Sequence, residues 1–311
     1  MTTFTRALEY RNPVMRGADV LCIQRALRTF GTSPVEPDGM FGTQTAAAVK
    51  SFQLQRGLES NGTVDQSTWT ALLAAPEVGD LSRNIDDIVR RLVLPQRFQD
   101  SVPWILTSQG VAVNGQSPLG SPGIPSTVLD IWEKYGQVID AAGRDTGVPI
   151  ELIVATVAVE SGGNPDAVRR EPAWVSDDQT PDQISVGLMQ TLISTARRSL
   201  QDPTVNADRL KDAKTSITAG TTYIASQFSQ TGFDPPKVGC AYNAGGLYYN
   251  SSPGNPWRMR QFPLGTGIYA THMVAFFNDC FSLIRGGKIR TGAGPSFAMA
   301  MGGNGRADAT V

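Results

Sequence analysis

The chain has 311 residues, an apolar share of 41% and a net charge of −1, which indicates about two soluble domains and excludes a dominant nucleic-acid or acidic-membrane partner. No apolar run is long enough for a membrane span, and Met1–Arg6 lacks the apolar core of a secretory signal. Cys22, Cys240, Cys280 and the single His272 are too few and too scattered for a disulfide framework or a metal site, so neither metal nor cofactor is expected.

Val20, Ile23, Gln24, Leu27 and Phe30 outline a first helix with one apolar face. A short repeat follows: Asp38–Thr45 matches Asn61–Thr68 at an offset of 23. Each copy reads as an Asx-Gly turn, an apolar plug and a Thr or Ser helix start. Helical spacing continues through Ala46, Val49 and Phe52, and through Trp69, Leu72 and Leu73. Three short helices on one small core are predicted for residues 1–75.

This stretch resembles the three-helix peptidoglycan-binding module of wall hydrolases. The resemblance rests on Gly17-Ala18-Asp19-Val20, Gln24, Leu27, Gly31, Asp38-Gly39, Phe41-Gly42, Thr45, Ala48-Val49, Phe52-Gln53, Gly57-Leu58, Gly62, Thr68-Trp69 and Leu72, with Asn61 where the family often has Asp. It implies wall binding through Asp38, Phe41, Thr45 and Trp69, although most matched positions specify core and turns.

Residues 76–127 read as a linker with a short helix. Ile85, Ile88, Val89 and Leu92 share a face within Leu81–Leu94, and Pro, Gly, Ser and Gln dominate after Pro95. Phe98, Trp104 and Ile105 are too apolar for a free tether, so part of the stretch is expected to pack on a domain.

Helical periodicity returns near Ser126, with Ile131, Tyr135, Val138, Ile139 and Ala142 on one face. The next helix, Ile150 to Val159, is apolar nearly all round, as a helix buried in a larger core must be. It closes on Glu160-Ser161-Gly162-Gly163, where the glycines cap it and Asn164-Pro165 cannot continue it. Burial and the negative end of the helix dipole both favour the protonated form of Glu160, the form a general acid needs. A structural carboxylate held by an Arg or a backbone amide has the same local signature.

Further on come Ser185 to Gln190 with a short strand near 184–188, helices from about Ala213 to Gln230 and Ile268 to Leu283, and a Gly/Ala/Met-rich tail from Gly292 that is expected to fray. The fold class is mainly α: a small three-helix domain, a linker, a helical domain over 128–290 and a flexible tail over 291–311.

The order Glu160-Ser161, Gly187-Leu188-Met189-Gln190, Thr195-Ala196, Asn206, Gly220, Tyr223 and Ala241-Tyr242-Asn243-Ala244-Gly245 resembles the soluble-type, family 1 lytic transglycosylases. The resemblance implies a lysozyme-like fold, Glu160 as the sole acid/base with Tyr242 beside it, and a groove lined by Ser161, Gly187, Leu188, Met189, Gln190 and Asn243. The expected substrate is the MurNAc-GlcNAc β-1,4 bond of peptidoglycan glycan strands, with 1,6-anhydro ends as product. The chain departs from the family in Arg169–Gln183, an insertion carrying Glu171, Trp174, Asp177, Asp178 and Asp182. It reads as a solvated loop, or as a groove wall supplying the second carboxylate of a hydrolytic muramidase. A non-enzymatic wall-binding or tail structural protein is the reading from another class. A binding module ahead of a catalytic one, without a signal, fits a phage lysin, with a monomer favoured, that is made in the host cytoplasm and either released by a holin to act in the periplasm and cell wall or carried in the virion.

Overall fold

A computed structural model describes residues 4–29, 37–55, 58–73, 83–123 and 125–303. Phe30, Gly31, Gly57, Leu81 and the tail beyond 303 lie outside the described residues. The chain divides into two compact units, residues 1–81 with 246–250, and residues 82–245 with 251–311.

In the first unit, helices α1 (Ala18–Thr29), α2 (Thr43–Gln55) and α3 (Gln66–Leu73) close on a core of Leu8, Val20, Ile23, Leu27, Phe41, Val49, Phe52, Val64, Trp69 and Leu72. The repeat extends to hydrogen bonding. Gln24 Nε2 donates to Asp38 Oδ1, Met40 O and Thr45 Oγ1, while Gly39 N donates to Gln24 Oε1. Gln53 Nε2 does the same to Asn61 Oδ1, Thr63 O and Thr68 Oγ1, with Gly62 N on Gln53 Oε1. Each buried glutamine thus fastens one Asx-Gly turn to the helix after it. Phe41 and Val64 are the paired plugs, their amides bonded to Met15 O and Leu8 O. The Asn for Asp exchange leaves this chemistry intact, because only an acceptor oxygen is used.

The second unit begins at α4 (Ile85–Leu92), capped by Asn84 Oδ1 on Asp86 N, and a hairpin of β1 (Trp104–Thr107) and β2 (Gly110–Val113). These elements are not a tether. Ile88, Val89, Leu92, Trp104, Leu106 and Val111 are buried, and Trp104 Nε1 donates to Asp234 at 2.8 Å. Asn278 exchanges bonds with Val111 N and O, and Ser121 N and Oγ bond Asp279. The expected linker is therefore part of the larger unit from residue 83 onward.

The unit is built around α6 (Ile150–Ser161), whose residues 150–155 and 157 are fully enclosed. Against it pack α5 (Ser126–Thr146), α11 (Pro235–Ala244) and α12 (Ile268–Arg285). A small antiparallel sheet of β3 (Val168–Arg170), β4 (Ile184–Val186) and β5 (Thr191–Leu192) leads into α7 (Ile193–Leu200), and α8 (Ala207–Lys211) and α9 (Ala213–Ser226) follow. The short α10 (Phe228–Thr231) joins α9 to α11. Strands beyond the one expected near 184–188 are two to four residues long, too short for alternation to show.

The expected fraying at Gly292 does not occur over residues 292–303. Asp140 accepts Gly292 N, Ala293 N and Gly294 N, and α13 (Phe297–Gly303) docks with Phe297 fully buried. Glu151, fully buried, accepts Ser296 Oγ, Phe297 N and Ala298 N at the start of α13, so a carboxylate meets the positive end of a helix dipole. Helix α13 also packs on α4 and α12. No helix among the described residues is long and apolar enough to cross a membrane.

Candidate active site

The end of α6 sets the position of Glu160. Gly162 caps the helix in the left-handed region at φ 60°, its N–H on Ala158 O. Gly163, at φ 85°, passes so close to Ile131 that an added Cβ would lie 2.9 Å from Cγ1. The two glycines thus let the chain turn away tightly and leave the Glu160 side chain at the cleft.

Glu160 is partly buried at one wall of a cleft of about 610 Å³. Burial pushes its carboxyl up to about 7, against a hydrogen bond from Tyr269 and the positive charge of Arg169, which both favour the anion. Tyr269 Oη donates to Glu160 Oε1 at 2.5 Å. This tyrosine, in the first turn of α12, holds the orienting position expected of Tyr242. Sequence reasoning missed it because a tyrosine opening an apolar helix reads as core.

Tyr242, near the end of α11, lines the same cleft but bonds elsewhere. Its Oη donates to Met189 O at 2.7 Å and accepts from Thr191 Oγ1 at 3.2 Å, and its ring meets Tyr223 edge-on at 5.4 Å. Burial raises the Tyr242 and Tyr269 hydroxyls well above their ordinary value, so both remain protonated donors.

The remaining expected groove residues divide. Gln190 and Asn243 line the cleft. Gln190 Nε2 is bonded to Ala167 O and Gly187 O, and its Oε1 accepts from Ser185, so the amide clamps its own turn. Asn243 Oδ1 accepts Phe262 N, while its Nδ2 makes no bond among the described residues. Leu188 and Met189 have no exposed surface and point into the core; only their carbonyls serve the site, taking Ser161 Oγ and Tyr242 Oη. Ser161 therefore ties the end of α6 to the 187–190 turn. Gly187 (φ 81°) is required there, since a Cβ would lie 2.0 Å from Leu210 O.

The insertion is a hairpin extension rather than a free loop, with Arg169 and Arg170 paired to Ser185 and Ile184. Asp177 accepts Ala207 N at the start of α8, and Asp178 pairs with Arg197. Glu171, Asp182 and Arg169 line the cleft with Glu160, and Arg169 pairs with Glu171 at 3.0 Å.

Residues 137–255 match the transglycosylase SLT domain model, a span that includes Glu160, the 187–190 turn and Tyr242. Residues 16–72 match the peptidoglycan binding domain model. The chain thus carries a segment that matches a peptidoglycan-binding domain ahead of one that matches an SLT domain. Tyr269 lies beyond the matched SLT span, and α4, the hairpin and α13 flank it as additions.

Among curated proteins, the chain is 32% identical over 130 residues to an endo-type membrane-bound lytic murein transglycosylase A of Enterobacter sp. (strain 638), covering 40% of this chain. The chain spans 57% of that relative's length. Among solved structures, the crystal structure of Burkholderia AP3 phage endolysin aligns over 88% of this chain and 98% of that chain at 15% identity. Its TM-score of 0.24 is too low to carry an argument.

In the smaller domain, Asp38 serves Gln24 and Met40 N, and Phe41, Thr45 and Trp69 are 0–4% exposed. The four residues expected to bind wall are thus held in turn and core. Cys240 and Cys280 are buried free thiols and do not pair, Cys22 is partly exposed, and His272 is exposed.

Proposed function

We propose that the SLT domain cleaves peptidoglycan glycan strands as a lytic transglycosylase, with the N-terminal domain holding the enzyme on its polymer. The observation that carries this reading is Glu160, half withdrawn from water, raised to about 7 and fixed through Oε1 by Tyr269. At neutral pH a large share of Glu160 is protonated. It gives its proton to the glycosidic oxygen as the C1–O4 bond breaks. The resulting carboxylate takes the C6 hydroxyl proton of the same sugar as O6 bonds to C1, which restores the acid and consumes no water. Proximity within one sugar replaces the activated water of a hydrolase.

A second reading has an observation of its own. Glu171 and Asp182 share the cleft with Glu160, and a hydrolase needs a second carboxylate to activate water. Mass spectrometry of digested sacculi distinguishes the two, since anhydro and reducing muramic ends differ by one water. The transglycosylase reading expects anhydro ends, and expects Asp182→Asn and Glu171→Gln to keep most activity. Reducing ends, lost with either substitution, would establish the muramidase instead. The order of the two domains supports use as a phage lysin, tested by lysis of host cells when the chain is expressed with a membrane-permeabilising partner.

A further inference from the structure

The larger unit carries a second cleft, about 680 Å³, that shares no lining residue with the one around Glu160. Its floor is the outer face of α5. Trp132 lies flat along that helix over Gly136, one turn on: a Cβ at Gly136 would come 2.9 Å from Cε2, 3.0 Å from Cδ2 and 3.3 Å from Nε1 of the indole. A mid-helix glycine weakens a helix relative to alanine. Here it lets the ring lie against the backbone. The indole N–H has no partner among the described residues and is not enclosed.

The opposite wall is the segment from Arg290 to Gly292, fastened by the three backbone donors on Asp140. Gly292 permits the approach, since a Cβ there would sit 2.6 Å from Asp140 Oδ2. Lys134, Gln137 and Arg290 line the cleft with Trp132, and none of the three bonds another side chain among the described residues. The cleft therefore offers a half-exposed aromatic face, an indole donor, an amide, and two cations set beside the carboxylates of Glu133 and Asp140, fixed by helix and clasp.

Flat sugar faces present C–H surface to aromatic rings, while amides and indole donors serve hydroxyl and acetamido groups. Lys134 and Arg290 can meet carboxylates carried by the polymer, while Glu133 on the same face can accept from hydroxyl and amide donors. We propose that this cleft is an auxiliary site for a glycan strand whose sugars bear acetamido groups and whose attached peptides bear carboxylates. Trp132 is its platform, and Lys134 and Arg290 are its anion contacts. The choice of polymer rests on the function proposed above.

The test uses the full chain carrying Glu160→Gln, so that binding is read without turnover. Cosedimentation with purified sacculi gives the affinity. Trp132→Ala should weaken it ~3- to 10-fold, the range of one aromatic contact, while Trp132→Phe retains most of it. Lys134→Ala with Arg290→Ala should also weaken it and flatten its dependence on salt. This pair makes no side-chain hydrogen bond or ion pair among the described residues, so it decides the matter if Trp132→Ala fails to fold. Unchanged affinity in every variant, or a parent that does not sediment, overturns the site. A parent that binds through Trp132 while the wild-type chain leaves sacculi uncut would instead sink the enzymatic reading and keep the site.

Discussion

Glu160 and its two tyrosines separate into distinct jobs, and substitution should resolve them. Glu160→Gln removes the proton without changing shape, so muralytic activity should fall at least ~10²–10⁴-fold, measured as turbidity loss on permeabilised cells. The same change bears on stability. A carboxyl raised in the folded state to about 7 opposes folding as pH climbs from its ordinary 4.5, with the full cost reached above 7. Glu160→Gln should therefore melt above wild type at pH 8, with the gap closing toward pH 4. Activity, which needs the protonated form, should decline above about pH 7. Tyr269→Phe deletes a bond that favours the carboxylate, so the alkaline limb of the pH–rate profile should move upward and kcat should fall. Tyr242→Phe leaves Met189 O and the Thr191 hydroxyl without their partner, at ~1–3 kcal/mol in a denaturant titration. A shifted alkaline limb in Tyr242→Phe, with none in Tyr269→Phe, would reverse the two roles. Glu160 was legible because an all-apolar helix ending on a carboxylate and two glycines is a local pattern. Tyr269 was not, because what marks it is a partner 109 residues away.

At the level of elements, legibility follows how local the cause is. The twin Asx-Gly turns announced themselves by composition, and the glutamines that fasten them fall on helices already outlined by their apolar spacing. Helix α13 is the opposite case. Its residues Phe-Ala-Met-Ala-Met-Gly-Gly have little reason to be helical alone, and what starts the helix is Glu151, 145 residues earlier in the chain. A chain ending at residue 291 strips Glu151 of its three donors and uncovers the Phe297 pocket. Loss of the Phe297 contact alone is on the order of 3–5 kcal/mol, so the melting midpoint should fall sharply. An unchanged midpoint would show that α13 is ornamental. The β1–β2 hairpin was hidden likewise: Pro and Gly mark its turns correctly, but its burial depends on Asn278 and Asp234.

For the whole molecule, the division into a small three-helix part and a mainly helical larger part was readable, while the boundary was not. Residues 83–123 belong to the larger unit, so a chain beginning at Ser82 should unfold in one cooperative transition. A chain beginning at Val128 leaves Asn278 and Asp279 without their partners on 111–121, strips Asp234 of its Trp104 bond, and should aggregate or melt broadly by circular dichroism. Equal cooperativity in both would restore the linker.

The packing of α13 on α4 brings the first and last helices of the larger unit side by side. A unit whose two ends meet can be spliced into a host loop, or joined end to end and reopened elsewhere, without parting its core. The larger unit is in this sense a portable cassette. Mechanical load entering through both ends would be borne first by the α4–α13 seam.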